Sequence, residues 1–166
     1  MEDIGKFVLF LSYLWDYPRK DFIGQGLDIL SHLGFNTDDL NIQTLQEEYV
    51  RLFINAPSGV PAPPYASVYL TGLVAQEPAL EALSFYERVG LRPEGSDPPD
   101  HLSWELAFIA HLIEREQKKL LREFLEQHFW RWFPRFKGAL LAASPHPFYR
   151  NLLEVTEQVL QNIKED

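Results

Sequence analysis

Apolar residues recur every three or four positions along nearly the whole chain, which is the spacing of one buried face of an α-helix. Ile4, Val8 and Leu11 show this spacing near one end of the chain, and Leu152 and Val155 show it near the other. No sustained alternation of apolar and polar residues, which would indicate half-buried strands, lies between turn-forming residues. The pattern therefore predicts an all-α fold, a helical bundle.

Length and turn residues set the expected organisation of this bundle. With 166 residues the chain fits one core, so residues 1–166 are expected to form a single helical domain. A third helix is predicted from about Asp39 to Ile54, followed by the proline-rich loop NAPSGVPAPPY. A break is predicted near Glu114 to Lys119, and Pro134 is expected to start a separate short helix.

Composition limits the compartment and the partners. The chain has no cysteine, and it begins Met1-Glu2-Asp3 without the basic region of a secretory signal. No apolar run approaches the roughly 18 residues of a membrane span, so a cytoplasmic protein without a membrane span is expected. The net charge of −9 repels nucleic acid and attracts basic ligands. We therefore expect a cationic partner and no nucleic acid.

The stretch SDPPDHL, which begins at Ser96, allows two interpretations. Asp97 can cap a helix, Pro98 suits the first helical position, and Asp100 can close an acidic capping box. Local helix chemistry therefore explains the stretch by itself. The alternative is that Asp100 and His101 act as a functional pair, and the residues alone leave both interpretations open.

Catalytic, metal and cofactor sites find little support in the sequence. No nucleophile or second carboxylate accompanies the Asp100-His101 pair at a matched spacing. Paired Glu-x-x-His motifs, zinc signatures and glycine-rich phosphate loops are all missing from the sequence. We therefore expect no catalytic residues, no metal and no cofactor, and we expect that the protein is not an enzyme.

The aromatic segment HFWRWFPRF, which begins at His128, could in principle stack nucleobases beside its arginines. Phe129, Trp132, Phe133 and Phe136 instead fall at the spacing of one buried helical face. Together with the negative net charge, this spacing predicts that the four rings pack in the core.

Four short motifs occur in one order along the chain. They are Tyr49-x-x-Leu52-Phe53, Pro63-Pro64-Tyr65-x-Ser67-x-Tyr69, Pro98-x-Asp100-His101-Leu102-x-x-Glu105-Leu106-x-Phe108 and His128-Phe129-x-x-Trp132-x-Pro134-x-Phe136. In this order, over roughly residues 45 to 150, they resemble the motifs of the TorD/DmsD/NarJ family of redox-enzyme maturation chaperones. The resemblance implies a single-domain, all-α bundle of the TorD-like type.

The resemblance also implies a function and a site. Members of this family bind the twin-arginine signal peptide of a molybdopterin oxidoreductase precursor and hold that precursor during cofactor insertion, before its export. The family pattern implies a peptide site near the proline-rich loop, with the Asp-His pair as a binding hinge. The implied peptide-binding residues are Leu52, Phe53, Tyr65, Ser67, Tyr69, Asp100, His101 and Glu105. A monomer and a domain-swapped dimer both remain open.

Two other classes of protein compete with this interpretation. The first is a helical protein-interaction adaptor without specificity for signal peptides. The second is a nucleotide-binding hydrolase, which the missing phosphate loop disfavours. Binding of an export signal separates the chaperone from the adaptor, and turnover of a nucleotide separates the hydrolase from both.

Overall fold

A computed structural model describes residues 3–37, 40–56 and 59–165. The α-helices in these ranges are α1 (Asp3–Leu14), α2 (Lys20–His32), α3 (Ile42–Tyr49), α4 (Ala66–Thr71), α5 (Glu77–Glu87), α6 (Leu102–Glu114), α7 (Lys118–Phe124), α8 (Trp130–Ala142) and α9 (Pro147–Glu165). Two single π-helical turns, Val50–Ile54 and Leu125–Phe129, follow α3 and α7 directly.

The all-α prediction is confirmed. In the described ranges no strand occurs, and the pairing of Tyr65 with His101 is an isolated antiparallel bridge. The predicted break before Lys119 is also confirmed, because α6 ends at Glu114 and α7 begins at Lys118. The predicted start of the third helix at Asp39 lies outside the described residues. No helix among the described residues is long and apolar enough to cross a membrane.

The chain divides into two compact units, each built from segments that are distant in sequence. The first unit comprises Met1–Ser12 and Pro64–Phe136, and the second comprises Tyr13–Pro63 and Lys137–Asp166. Each unit has its own aromatic cluster, described separately below. The single domain over residues 1–166 stays a prediction.

Aromatic rings dominate the interior of the first unit. The four rings predicted to pack in the core, Phe129, Trp132, Phe133 and Phe136, are all completely buried, so this prediction is confirmed. Phe124 lies edge-on to Phe108, with ring centroids 4.9 Å apart. Such contacts between rings add to the stabilisation that burial of their large apolar area provides.

The second unit has an aromatic cluster of its own around Trp15. The indole nitrogen of Trp15 donates a hydrogen bond of 2.9 Å to the hydroxyl of Thr156, which is also buried. Phe53 packs edge-on against Tyr49 and Tyr149, with centroid distances of 4.9 and 5.4 Å. The buried indole N–H is therefore satisfied, as a polar group inside a protein core has to be.

The prediction that Pro134 starts a separate helix is wrong, because Pro134 lies inside α8. Proline removes the backbone bond to the carbonyl four residues earlier, which here belongs to Trp130, the first residue of α8. Pro134 is also exposed, so its ring points away from the core. The π-helical turn Leu125–Phe129 leads directly into α8, so Pro134 lies within a continuous helical segment and not at its start.

Two glycines, one after a helix and one inside a helix, give a matched test of the helix boundaries. Gly90 follows α5 with φ 74°, and a Cβ atom added there would meet no atom within 4 Å. Gly138 lies within α8, and an added Cβ would again meet nothing. We expect Gly90→Ala to lower the free energy of unfolding by about 1 kcal/mol, since alanine disfavours the left-handed conformation. We expect Gly138→Ala to raise it by about 0.5–1 kcal/mol.

Thermal unfolding measures both effects, and each kcal/mol corresponds to about 2–4 °C for a domain of this size. Shifts of the same sign for the two variants would contradict the assigned helix boundaries.

Candidate peptide-binding site

The proline-rich loop and the Asp-His segment are joined through their backbones. Beside the bridge of Tyr65 with His101, the Leu102 N–H donates to the Pro64 carbonyl at 2.9 Å. The Ala66 N–H donates to the Asp100 carbonyl at 3.3 Å. Helices α4 and α6 therefore begin side by side. We refer to this backbone pairing of residues 64–66 with residues 100–102 as the crossing.

The carboxylate of Asp100 lies beneath this crossing and is completely buried. Its Oδ2 accepts a hydrogen bond of 2.7 Å from the Ser67 N–H, in the first turn of α4. A carboxylate oxygen at this position satisfies one of the free N–H groups of the helix start. The other oxygen, Oδ1, has no hydrogen-bond partner among the described residues. Asp100 thus tethers α4 to the segment that leads into α6.

The capping box predicted for Asp97, Pro98 and Asp100 is wrong. Helix α6 begins at Leu102, and its cap is His101, whose Nδ1 accepts from the Ser103 N–H at 3.0 Å. Pro98 precedes Pro99, and a residue before proline is pushed out of the helical region, so the helix cannot start there. The stretch does lead into a helix, as the helix-start interpretation predicts. The helix begins four residues later than Pro98, at Leu102.

Aromatic rings flank the crossing. Tyr65 lies edge-on to the His101 ring, with centroids 5.1 Å apart. Tyr69 stacks on Trp132 at 6.0 Å, and Arg135 donates a 2.7 Å hydrogen bond to its backbone carbonyl. Burial raises the pKa of the Tyr69 phenol, whose oxygen has no hydrogen-bond partner among the described residues. The site therefore presents two half-buried tyrosine rings on a rigid base.

In the first unit an ionic network joins α5, α6, the π-helical turn Leu125–Phe129 and α8. Glu105 is completely buried, and its two oxygens accept from the Trp132 indole at 2.9 Å and from His128 Nε2 at 2.7 Å. His128 Nδ1 lies 2.6 Å from a carboxylate oxygen of Glu81, and Arg131 approaches the same oxygen at 3.9 Å. Each ring nitrogen of His128 thus faces a carboxylate, so the imidazolium form donates to both.

The protonation of this network follows from its surroundings. Burial alone lowers the pKa of His128, but Glu105 and Glu81 together outweigh that effect and raise it to about 9. Burial raises the pKa of Glu105, and His128 and the Trp132 indole oppose this rise. At neutral pH His128 is therefore a buried cation held between two carboxylates.

The structure brings together six of the eight residues implied by the resemblance. Ser67 contacts Asp100, Tyr65 contacts His101, and Tyr69 and Glu105 both contact Trp132. Leu52 and Phe53 belong to the second unit, where both are buried on the π-helical turn Val50–Ile54. Phe53 packs there in the aromatic cluster described above.

Sequence reasoning missed the roles of Glu81 and His128. His128 was part of a recognised motif, but its position among aromatic residues indicated only helix packing. The available signal was that His128 lies at the start of a segment whose other inward-facing residues are aromatic. A buried histidine requires polar partners, so its position indicated a polar network. Glu81 gave no signal, because a glutamate in a helix is ordinarily a solvent-exposed residue. Among the described residues, no three side chains lie together as a metal site would require.

Comparison with known proteins assigns this arrangement to a class. The family model described as "Nitrate reductase delta subunit" matches residues 19–137. The chain belongs to this family, and the resemblance to the TorD/DmsD/NarJ chaperones is thereby confirmed.

Individual relatives agree with this assignment. The chain is 30% identical over 128 residues to a protein named Tat proofreading chaperone DmsD from Haemophilus influenzae, covering 75% of this chain and 62% of that protein. It is 29% identical over 120 residues to the chaperone protein TorD of Photobacterium profundum, covering 63% and 55% respectively. The chain thus spans less than two thirds of either relative. Both relatives are named as chaperones, in agreement with the prediction that the chain is not an enzyme.

A solved structure shows the same fold. A redox enzyme maturation protein from Archaeoglobus fulgidus superposes with a TM-score of 0.69 at 27% identity, covering 96% of this chain and 93% of that one. The predicted bundle of the TorD-like type is therefore confirmed.

The His128 network predicts a loss of stability at alkaline pH. Because the pKa of His128 rises from 6.5 to about 9 on folding, its stabilisation is complete below pH 6.5 and is lost as pH rises through 9. We expect the melting temperature to fall by several degrees between pH 7 and pH 9.5, and His128→Gln to remove this step. His111→Gln, at a half-buried histidine outside the network, is the control and should retain it. A wild-type melting temperature that stays constant across this range would contradict the charged form of His128.

Proposed function

We propose that this protein is a cytoplasmic, system-specific chaperone. It binds the twin-arginine signal peptide of a molybdopterin oxidoreductase precursor, and holds the precursor during cofactor insertion and before export. Membership of the family and the names of the two bacterial relatives support the proposal. The chaperone acts by binding, so it performs no chemistry on its client.

The observation that carries the proposal is the crossing of the proline-rich loop with the Asp-His segment. Two motifs of the family, 33 residues apart at Ser67 and Asp100, are joined by a direct hydrogen bond. Asp100 is completely buried, so it holds the binding surface in shape from below. The half-buried rings of Tyr65 and Tyr69 are the parts of this crossing that a peptide can reach.

Electrostatics supports the same ligand. A twin-arginine signal combines a basic end with an apolar stretch, and the chain carries a net charge of −9. Guanidinium groups bind carboxylates through charge-assisted hydrogen bonds, which become weaker as salt screens the charges. The affinity for the peptide should therefore decrease with ionic strength.

Thermal stabilisation by peptide tests the proposal directly. A ligand that binds only the folded state at a hundredfold excess over Kd stabilises that state by about 2.7 kcal/mol. The peptides to be tested are the twin-arginine signal peptides encoded in the same genome. We expect the signal peptide of the client to raise the melting temperature by about 5–10 °C. The same peptide with both arginines replaced by alanine is the control and should give a smaller shift. A shift with GTP together with release of phosphate, and no shift with any of the signal peptides, would favour the hydrolase instead.

A second prediction concerns the crossing itself. Asp100→Asn combined with His101→Ala should weaken peptide binding, because the first change removes the charge that holds Ser67 and the second removes the α6 cap. Loss of such caps costs about 0.5–2 kcal/mol each, so helical content should remain near that of the wild type. Calorimetry of peptide binding and circular dichroism measure the two properties. Asp97→Asn, at an exposed neighbouring carboxylate, is the matched control and should bind normally. If the double variant bound the peptide with wild-type affinity, the crossing would not be part of the peptide-binding site.

A further inference from the structure

Three large apolar side chains lie exposed where α4 meets α5. The exposed fractions are 64% for Leu73, 46% for Val74 and 67% for Leu80, and the two leucines are the most exposed large hydrophobic residues of the described chain. A single exposed leucine needs no explanation, but a group of apolar side chains on one surface marks a site of interaction. We refer to Leu73, Val74 and Leu80 as the α4–α5 patch.

The turn that carries this patch is held by hydrogen bonds on both sides. The Thr71 hydroxyl donates to the Ser67 carbonyl at 2.7 Å and accepts from the Leu73 N–H at 3.3 Å. Ala75 adopts φ 57°, a left-handed conformation that alanine disfavours by about 1–2 kcal/mol. The turn therefore keeps Leu73 and Val74 exposed despite a local conformational cost, and little ordering is needed when a partner covers them.

The chain segment that carries the patch is acidic. Residues 66–87 contain Glu77, Glu81 and Glu87 and no lysine or arginine. Glu77 shares one face of α5 with Leu80, because it lies three positions before it. Glu81 is already paired with His128 at 2.6 Å and with Arg131 at 3.9 Å, so we assign the attraction of a cation to the exposed carboxylate of Glu77. A ligand that joins apolar side chains to cationic ones matches this surface.

The patch is continuous with the crossing described above. The Gln76 N–H, at the end of the turn, donates to the Ser67 hydroxyl at 3.2 Å. Ser67 is in turn held by Asp100, so the turn and the crossing share one buried serine. A peptide that contacts Tyr69 on α4 can therefore extend along the same helix to the patch.

We propose that the α4–α5 patch seats the apolar stretch of the signal peptide, with its arginines directed toward Glu77. This inference rests on the proposed function. It gives a binding surface to the apolar stretch of the peptide, for which the crossing alone offers none. A cavity of about 340 Å³ between α1, α6 and the loop after α5 is the competing location. Its lining includes Arg92, which is paired with Glu87 at 3.4 Å, and the carboxylate of Glu114, so the test below includes this cavity.

The test compares two surfaces with two peptides. The variant Leu73→Gln/Leu80→Gln removes apolar area from the patch, and Leu33→Gln is the matched control at an exposed leucine of the second unit. The peptides are the twin-arginine signal peptide that binds the wild type most tightly and the same peptide with its apolar stretch replaced by serine. We expect the double variant to bind the natural peptide at least about tenfold more weakly. It should bind the serine peptide as the wild type does, because the coupling requires both apolar surfaces.

Each outcome separates this inference from the proposed function. Unchanged affinity of the double variant for the natural peptide overturns the inference and leaves the chaperone function intact. A comparable loss in Leu9→Gln/Leu91→Gln, with none in the patch variant, assigns the apolar stretch to the cavity and overturns the inference too. If sedimentation shows that the patch variant alters only self-association, the patch joins copies of the chain instead. A wild type that binds no twin-arginine peptide overturns the proposed function and the inference together.

Discussion

The buried carboxylate of Glu105 is the group on which the first unit depends most. An ionised carboxylate inside a protein is strongly unfavourable unless charged and polar partners compensate for its lost hydration. Glu105 obtains those partners from Trp132 in α8 and from His128 in the preceding π-helical turn, which donate to its two oxygens. His128 then requires its own second acceptor, which Glu81 of α5 supplies. The hydrogen bonds that satisfy the charge of Glu105 thus fix the relative positions of three helices. Apolar contacts alone would specify these positions less strictly.

This constraint bears on the candidate site because Glu105 lies one helical turn after His101. A helix whose first turn is held by Glu105 presents His101 and Asp100 in one orientation to the proline-rich loop. Asp100 can then act across the crossing, on the N–H of Ser67, instead of on its own helix. The two tyrosine rings at the crossing are half-buried, whereas the carboxylates of Asp100 and Glu105 that position it are completely buried.

The sequence predicted the fold class, the aromatic core and the break after Glu114 because each depends on local spacing or turn chemistry. It also identified the family, since four motifs occurred in order. It failed at the start of α6, where the effect of Pro99 on Pro98 outweighs the capping preference of Asp97. Glu81 could not be found, because its partner His128 is distant along the chain. Long-range electrostatic partners leave no periodic signal, so this part of the network required the structure.

The two π-helical turns explain why motif residues can depart from ordinary helix packing. One turn contains Leu52 and Phe53, and the other contains His128 and Phe129, so each coincides with a family motif. A π-helical turn adds a residue to the helix and shifts the side chains that follow, and such turns often occur at functional sites. In the first unit His128, within such a turn, faces the carboxylates, while Phe129, Trp132 and Phe133 lie in the core. A regular helix positions every side chain by the same 3.6-residue repeat. A π-helical turn departs from that repeat, so a charged histidine and the apolar face beside it can be positioned independently.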